Sequence, residues 1–167
     1  MKKIFNVLII LFISITLTAC GSKEENIPED EVTLEGITYK LDQDDKGYGL
    51  KYKVASNFRR TDLINAINYY SEKINGSSYF VIRIYKYPGK DLEYAINDSV
   101  DKDLIESREE VTIGNKTYTK VHFTNYNGAK TNLFYYEFNK TYYTFVFTAS
   151  IDLSRLEYIF LTNVIYE

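Results

Sequence analysis

Residues that could perform chemistry are few in this chain of 167 residues, which has one Cys and one His. A single Cys excludes an internal disulfide framework and a cysteine-rich zinc or iron–sulfur site, and a single His excludes a multi-histidine metal site. Alternation along the strand around His122 puts Lys120 on the same face, while Val121 and Phe123 share the other face. Because no nucleophile motif or second metal ligand accompanies it, we interpret His122 as a structural side chain on the more polar face.

Two acidic stretches are the remaining candidates for metal binding or acid–base catalysis. Segment 42–47 (DQDDKG) resembles a calcium loop, but Lys46 and Lys53 stand where the fifth and twelfth positions require oxygen ligands. We therefore interpret this segment as a solvated turn. Segment 101–110 interleaves acidic residues with Lys102 and Arg108, which is typical of a solvated helix or loop rather than of two carboxylates converging in a cleft. With no glycine-rich phosphate loop either, the sequence predicts no enzyme, no metal and no cofactor.

The chain is rich in tyrosine, with 17 Tyr and 10 Phe but no Trp. Tyrosine suits recognition surfaces because it combines a large apolar ring with a hydroxyl group and low rotamer entropy. It is also favoured in strands, so much of it is expected to be core or cross-strand pairing. If a binding patch exists, we expect it on the mixed face of one predicted strand, at Tyr79, Arg83, Tyr85 and Tyr87.

The N-terminus carries the most specific pattern in the sequence. Lys2 and Lys3 precede an apolar stretch over residues 4–17, which is shorter than the roughly 20 residues of a membrane span. Segment 17–20 (LTAC) ends at the only Cys of the chain. This order resembles a bacterial lipoprotein signal with its lipobox. The resemblance implies a signal peptide over residues 1–19, cleavage before Cys20, and a diacylglycerol on the Cys20 thiol.

A lipid on Cys20 would anchor the protein to the extracytoplasmic face of the cell membrane. Residues 20–31 are polar, acidic and interrupted by Pro28, which predicts a flexible tether. After cleavage the chain would keep all 23 acidic residues and 18 of its 20 Lys and Arg, for a formal net charge of −5. This charge disfavours nucleic acid as a partner.

Residues 32–167 read as one domain with alternating strands and amphipathic helices. A short strand is predicted within Thr33–Leu41, where Ile37, Tyr39 and Leu41 alternate with polar neighbours. Further strands are predicted at Tyr48–Val54 and Tyr79–Tyr87. Thr61 or Asp62 could cap a helix that carries an apolar stripe and ends at Gly76; the stripe is Leu63, Ile67, Tyr70 and Ile74.

Further signals follow in the second half of the chain. Asp91 can cap a short helix, and two hairpins are predicted with turns at Gly114-Asn115 and Asn139-Lys140. Strand 141–149 is apolar or Thr at every position, so we expect both of its faces to be covered. A last helix is predicted to begin near Asp152.

Helices bracketing an antiparallel sheet predict an α+β fold with helices on both faces of the sheet. The order of elements over residues 36–166 resembles the PsbP-like domain, which implies an α/β/α sandwich that docks to other proteins and shares no catalytic residues. We therefore expect a non-enzymatic module that binds an envelope protein or cell-wall component. The alternative is a small-ligand or peptide-binding lipoprotein with a cleft beside the sheet, and a hydrolase using the acidic residues is a more distant one.

Overall fold

Most of the described chain is in antiparallel strands. The computed structural model describes residues 28–71, 73–74, 77–78 and 80–167, with side chains over 28–71 and 82–167. The strands are β1 (Glu31–Leu34), β2 (Ile37–Lys40), β3 (Gln43–Gly47), β4 (Leu50–Val54), β5 (Arg59–Asp62), β6 (Ala66–Tyr70), β7 (Lys73–Ile74), β8 (Ser77–Ser78), β9 (Phe80–Pro88), β10 (Ile105–Ile113), β11 (Lys116–Thr124), β12 (Lys130–Phe138), β13 (Thr141–Ala149) and β14 (Ile165–Tyr166). The helices are α1 (Leu92–Ser99) and α2 (Ser154–Thr162), with a 3-10 turn at Lys102–Leu104.

Seven strands form one antiparallel sheet in the order β10-β11-β12-β13-β9-β6-β5. Its centre is β13, which pairs along its whole length with β12 on one side and β9 on the other. A three-stranded sheet, β14-β4-β3, and two hairpins, β1-β2 and β7-β8, complete the described topology. The long central ladders fix the register, which decides which side chains share a face.

One face of the seven-stranded sheet, here the main-core face, carries Ile67, Ile84, Phe134 and Phe145. Helix α2, β1-β2 and β4 cover it, and all of them contribute to a single buried cluster. Aromatic rings dominate this cluster because strands favour them and the layers need large side chains to fill the space. Its largest fully buried members include Tyr39, Tyr69, Tyr118, Phe134, Phe145, Phe147 and Phe160.

The opposite face, here the α1 face, carries Asn68, Arg83, Leu133 and Thr144. A smaller cluster covers part of it, in which Ala95 and Ile96 of α1 pack on the sheet. The α1 face is therefore less completely covered than the main-core face, and it carries more polar side chains.

The fold class predicted from the sequence, α+β with helices on both faces of the sheet, is wrong. The structure is a β-rich fold of antiparallel sheets, and the α-helices of its described ranges have only 8 and 9 residues. The α/β/α sandwich implied by the PsbP-like resemblance is not formed, because small sheets provide much of the layer on the main-core face.

The predicted and the observed architecture differ at the helix that was predicted to end at Gly76. The structure replaces it with β5, the turn at Leu63 and β6. Residues 66–70 (AINYY) also fit an alternation of period two, because Ile67 and Tyr69 face the main core while Asn68 faces the other way. Pairing with β9 satisfies the backbone of this segment and overrides its helical spacing.

The short strand predicted within Thr33–Leu41 is confirmed as β2, which forms a hairpin with β1 through positive φ at Glu35 (49°) and Gly36 (81°). Two polar segments were assigned wrongly. Segment 42–47 contains strand β3 instead of a turn, and the turn falls on Tyr48 and Gly49. Segment 101–110 contributes most of β10, because a strand at the edge of a sheet can be polar throughout.

Local signals in the second half of the chain are confirmed. The hairpin turns lie at Gly114-Asn115 and Asn139-Lys140, where Asn139 and Lys140 have positive φ. Asp91 caps α1 by accepting a hydrogen bond from the Tyr94 backbone N–H, and α2 begins two residues after Asp152. None of the helices in the described ranges has the length and apolarity to cross a membrane.

Candidate functional site

The predicted binding patch is partly brought together by β9. Arg83, Tyr85 and Tyr87 are on the α1 face, as the alternation predicts. Tyr79 and Cys20 lie outside the described residues. Tyr87 is only 8% exposed, and its hydroxyl donates a hydrogen bond to Asp98 of α1 at 3.0 Å. Burial raises the Tyr87 pKa, so this phenol stays neutral and acts mainly in packing.

Aromatic rings continue from this patch onto α1. The Tyr85 and Tyr87 rings are stacked with centroids 6.1 Å apart, and Tyr94 meets Tyr87 edge-on at 6.2 Å. A cation lies over each end, with Arg83 5.9 Å from the Tyr85 centroid and Lys90 4.5 Å from that of Tyr94. We call these five residues the arginine–tyrosine ladder. Such a surface suits ligands that combine apolar and charged parts.

Arg83 is held on the sheet by neutral groups. Its Nε donates to Asn68 Oδ1 at 2.6 Å, and its Nη1 donates to the Tyr85 hydroxyl at 3.1 Å. Asn68 on β6 and Thr144 on β13 are fully buried, and neither Asn68 Nδ2 nor Thr144 Oγ1 has a hydrogen-bond partner among the described residues. Register brings these groups together, because Asn68 pairs with Arg83 and Thr144 with Tyr85. Asn68 and Thr144 were not predicted, because cross-strand register cannot be read from alternation within one strand.

A second polar cluster lies on the main-core side and includes His122. Its Nδ1 is 2.7 Å from Asn132 Oδ1, and its Nε2 is 3.4 Å from Glu106 Oε2. Asn132 also donates through Nδ2 to Glu157 of α2 at 2.6 Å. Glu157 is 3% exposed, and burial raises its pKa. Asn132 separates the two carboxyl groups, so they do not converge on one reacting atom.

Sequence reasoning overlooked Glu157, although a signal was present. Glu157 is four residues after Leu153 and four before Leu161, so it stands within the apolar stripe of α2. A charged residue in such a stripe indicates either a buried, paired acid or a site.

A third polar cluster joins the three-stranded sheet to β5 and β6. Arg60 donates to Asp45 Oδ1 at 2.6 Å and to Asp62 Oδ1 at 2.7 Å. The Tyr69 hydroxyl donates to Asp45 Oδ2 at 2.7 Å and is 2.8 Å from the Tyr52 hydroxyl. Burial raises the pKa of Tyr52 to about 12, while the hydrogen bond to Arg60 lowers that of Asp62. The cluster is a set of complementary charges, and in the described part of the chain no group of His, Cys, Asp or Glu is arranged to hold a metal ion.

Two adjoining clefts lie beside the three-stranded sheet. One, of about 560 Å³, is lined by Lys46, Lys51 and Ile165 among others. The other, of about 620 Å³, extends towards Arg155. Lys53 and Asn163 line both clefts, and we call the two clefts together the groove at Lys53 and Asn163.

Comparisons with known proteins bear on the fold only. No family model and no curated protein matches the chain. Among solved structures, it is similar to a protein from Bacteroides thetaiotaomicron VPI-5482, with a TM-score of 0.50 and 16% sequence identity. The likeness covers 71% of this chain and 45% of that one, so this chain spans less than half the length of the structure it matches.

Proposed function

We propose that the chain is a lipoprotein anchored through a diacylglycerol on Cys20 at the extracytoplasmic face of a bacterial cell membrane. We further propose that its β-rich domain is a non-enzymatic module that binds another protein or a cell-wall component. The observation that carries the anchor is the order of Lys2-Lys3, the apolar stretch 4–17 and the single Cys at position 20. Charge, length and the thiol each fall where a lipoprotein signal needs them.

Chain length limits how far the domain can be from such an anchor. Seven residues separate Cys20 from Pro28, and the eight Cα steps between them span at most roughly 28 Å when fully extended. Arg155 of α2 then holds the chain by donating to the backbone oxygens of Pro28 and Glu31, both at 2.9 Å. The domain would therefore stay close to the membrane and be attached beside the start of α2.

The arginine–tyrosine ladder supports the binding role. Arg83 and Tyr85 are half-buried, and Tyr94 is 45% exposed, so one side of the ladder is open to a partner. Tyrosine and arginine dominate the energetics of protein interfaces because they bury large area and still form hydrogen bonds.

The anchor is tested by replacing Cys20. Cys20→Ala should move the protein from the membrane fraction to the soluble extracytoplasmic fraction, because no acyl chain can be attached. Ser22→Ala is the matched control and should leave the protein with the membrane. Retention of the Cys20→Ala protein in washed membranes, or a free Cys20 thiol found by mass spectrometry, would contradict the anchor.

The binding role is tested with a photo-crosslinking amino acid placed at Tyr94 in the full chain in its native host. The control position is Tyr126, which is 86% exposed and lies on the β11-β12 loop, away from the ladder. A discrete crosslinked product at position 94 and none at 126 is the expected result. Equal labelling at the two positions would remove the support for this surface.

The groove at Lys53 and Asn163 favours the second function, a lipoprotein that binds a small ligand or a peptide. Its volume is in the range of small-molecule sites, and charged and apolar side chains both line it. Native mass spectrometry of protein purified from its host membranes should then detect a bound mass that Lys53→Ala loses. An identical spectrum for both proteins would exclude this second function.

A further inference from the structure

Arg83 carries a positive charge that no described carboxylate balances. Two other arginines on the same sheet are ion-paired: Arg60 with Asp45 and Asp62, and Arg108 with Glu93 at 2.7 Å. Among the described residues, Arg83 hydrogen-bonds to an amide and a phenol and forms no ion pair. A half-buried charge is costly without a counter-charge, so its placement in the middle of a sheet needs a reason.

The groups around Arg83 supply more donors than acceptors. A guanidinium has five N–H groups, and hydrogen bonds to Asn68 and Tyr85 use two of them. Asn68 Nδ2 belongs to the same amide that accepts from Arg83 Nε, and it has no acceptor. The Thr144 hydroxyl, one strand away, also has no partner. Buried groups of this kind are uncommon in native proteins. Of the four in the described part of the chain, one belongs to the amide that holds Arg83, and another, on Thr144, is paired in register with Tyr85.

We propose that Arg83, Asn68 and Tyr85 form a binding site for a carboxylate group of a partner, with Thr144 beneath it. This inference rests on the proposed binding role of the arginine–tyrosine ladder and specifies the chemical group that the ladder binds. The planar fork of Arg83 matches the two oxygens of a carboxylate, and the Tyr85 ring offers an apolar surface to the group that carries it. Asn68 is fully buried and accepts from Arg83 Nε, so it holds the fork in place.

A carboxylate fits the charge of the site better than a phosphate does. Arg83 is the one cation of the described residues in contact with Asn68 and Tyr85, and a carboxylate brings a single negative charge. A phosphomonoester brings about −1.5 to −2 at neutral pH and would leave charge uncompensated on a half-buried surface.

The test uses two probes that differ only in charge, N-acetyl-phenylalanine and N-acetyl-phenylalanine amide. The full chain is labelled with ¹⁵N-arginine and extracted from membranes in detergent micelles, and the Arg83 Nε–Hε signal is followed. The acid should shift this signal saturably, whereas the amide should not. Arg83→Gln should weaken binding of the acid, followed by equilibrium dialysis, by at least about tenfold because it removes charge-assisted hydrogen bonds. Arg59→Gln, at an exposed arginine of β5, should leave the affinity unchanged.

Arg83→Lys separates the fork from the charge, since it keeps the cation and loses the paired geometry. An intermediate affinity supports the proposal. Equal shifts with the two probes, no shift with either, or undiminished binding by Arg83→Gln would overturn it and leave a bound water as the partner of these donors.

Crosslinking from position 94 distinguishes this inference from the proposed function. A crosslink that persists in Arg83→Gln, together with no response to the acid, means that the surface binds a partner without a carboxylate. Binding of the acid with no crosslinked product in the host means that the site is real while the proposed envelope partner is not.

Discussion

Arg60 and Arg83 occupy the two faces of one sheet and are treated in opposite ways. Arg60, on the side of the main core, bonds to two carboxylates, and the neighbouring hydroxyls of Tyr52 and Tyr69 are also hydrogen-bonded. Within the described ranges, Arg83 on the α1 face bonds only to neutral groups, and the buried amide nitrogen beside it has no partner there. Since both arginines are only partly exposed, the difference lies in what surrounds them.

The difference separates a structural cation from one available to a ligand. Arg60 uses its charge to join β3 to β5, which holds the three-stranded sheet against the seven-stranded one. Arg83 joins two neighbouring strands that their backbones already pair. A charge that adds little to the fold and lacks its complement is a stronger candidate for binding than one already neutralised.

The largest effect is expected in the main core. Phe160→Ala should lower the free energy of unfolding by about 3–5 kcal/mol, because the ring is fully buried and packs on Tyr52, Phe145 and Phe147. Tyr94→Ala, at the exposed end of the ladder, should cost less than about 1 kcal/mol. Urea denaturation measures both, and equal losses would mean that the two faces carry similar shares of stability.

The second-largest effect is expected for the two arginines, whose replacement should lower the free energy of unfolding by different amounts. Arg60→Gln should cost about 2–3 kcal/mol, since two carboxylates lose charge-assisted hydrogen bonds. Arg83→Gln should cost about 1 kcal/mol or less, because removing an uncompensated charge offsets the lost bonds. If Arg83→Gln lowers the free energy of unfolding more than Arg60→Gln does in the same denaturation experiment, then Arg83 is the structural cation and Arg60 is not.

Two buried threonines of the α1 face compare a hydroxyl that lacks a hydrogen-bond partner with one that has a partner. Thr144→Val should stabilise the protein by about 1 kcal/mol, because its buried hydroxyl has no partner. Thr131→Val is the matched control and should destabilise by a similar amount, since the buried Thr131 hydroxyl bonds to Thr148 at 3.1 Å. Thermal unfolding resolves the two signs, and a loss of stability in Thr144→Val would show that its hydroxyl is already satisfied.

The smallest effect concerns pH. Burial raises the Glu157 pKa in the folded protein above its ordinary value of 4.5, so the folded state holds this proton more tightly than the unfolded state does. The resulting stabilisation is full below about pH 4.5 and is lost as pH rises through the folded pKa. Glu157→Gln should flatten this decline in melting temperature, while Glu137→Gln at an exposed position should not. An unchanged slope in Glu157→Gln would assign the pH dependence to other groups.

Elements fixed by local interactions were predictable from the sequence. The turns at Gly114-Asn115 and Asn139-Lys140 need residues that tolerate positive φ, and the α1 cap needs the Asp91 carboxylate. The helix predicted at Leu63–Ile74 failed because residues 66–70 fit both periods, and only pairing with β9 decides between them. The first part of β10, residues 105–110, was missed because an exposed edge strand needs no apolar alternation that would reveal it.

The candidate site was predictable to the same limited extent. Alternation within β9 placed Arg83, Tyr85 and Tyr87 on one face. The groups that give the site its chemistry, Asn68 and Thr144, come from two other strands, and they meet Arg83 and Tyr85 only through the register of the sheet. Long-range pairing is a property of the whole fold, which no local pattern encodes.

Arg155 hydrogen-bonds to the backbone oxygens of Pro28 and Glu31, so the start of the described chain is attached to α2. Under the proposed anchor, the lipid on Cys20 and the seven residues before Pro28 would confine this attachment point to a thin layer above the bilayer, where the domain can rotate and diffuse in two dimensions. Other surface-bound molecules would then be present at a high effective concentration, so a partner with only weak affinity for the arginine–tyrosine ladder would still be bound much of the time.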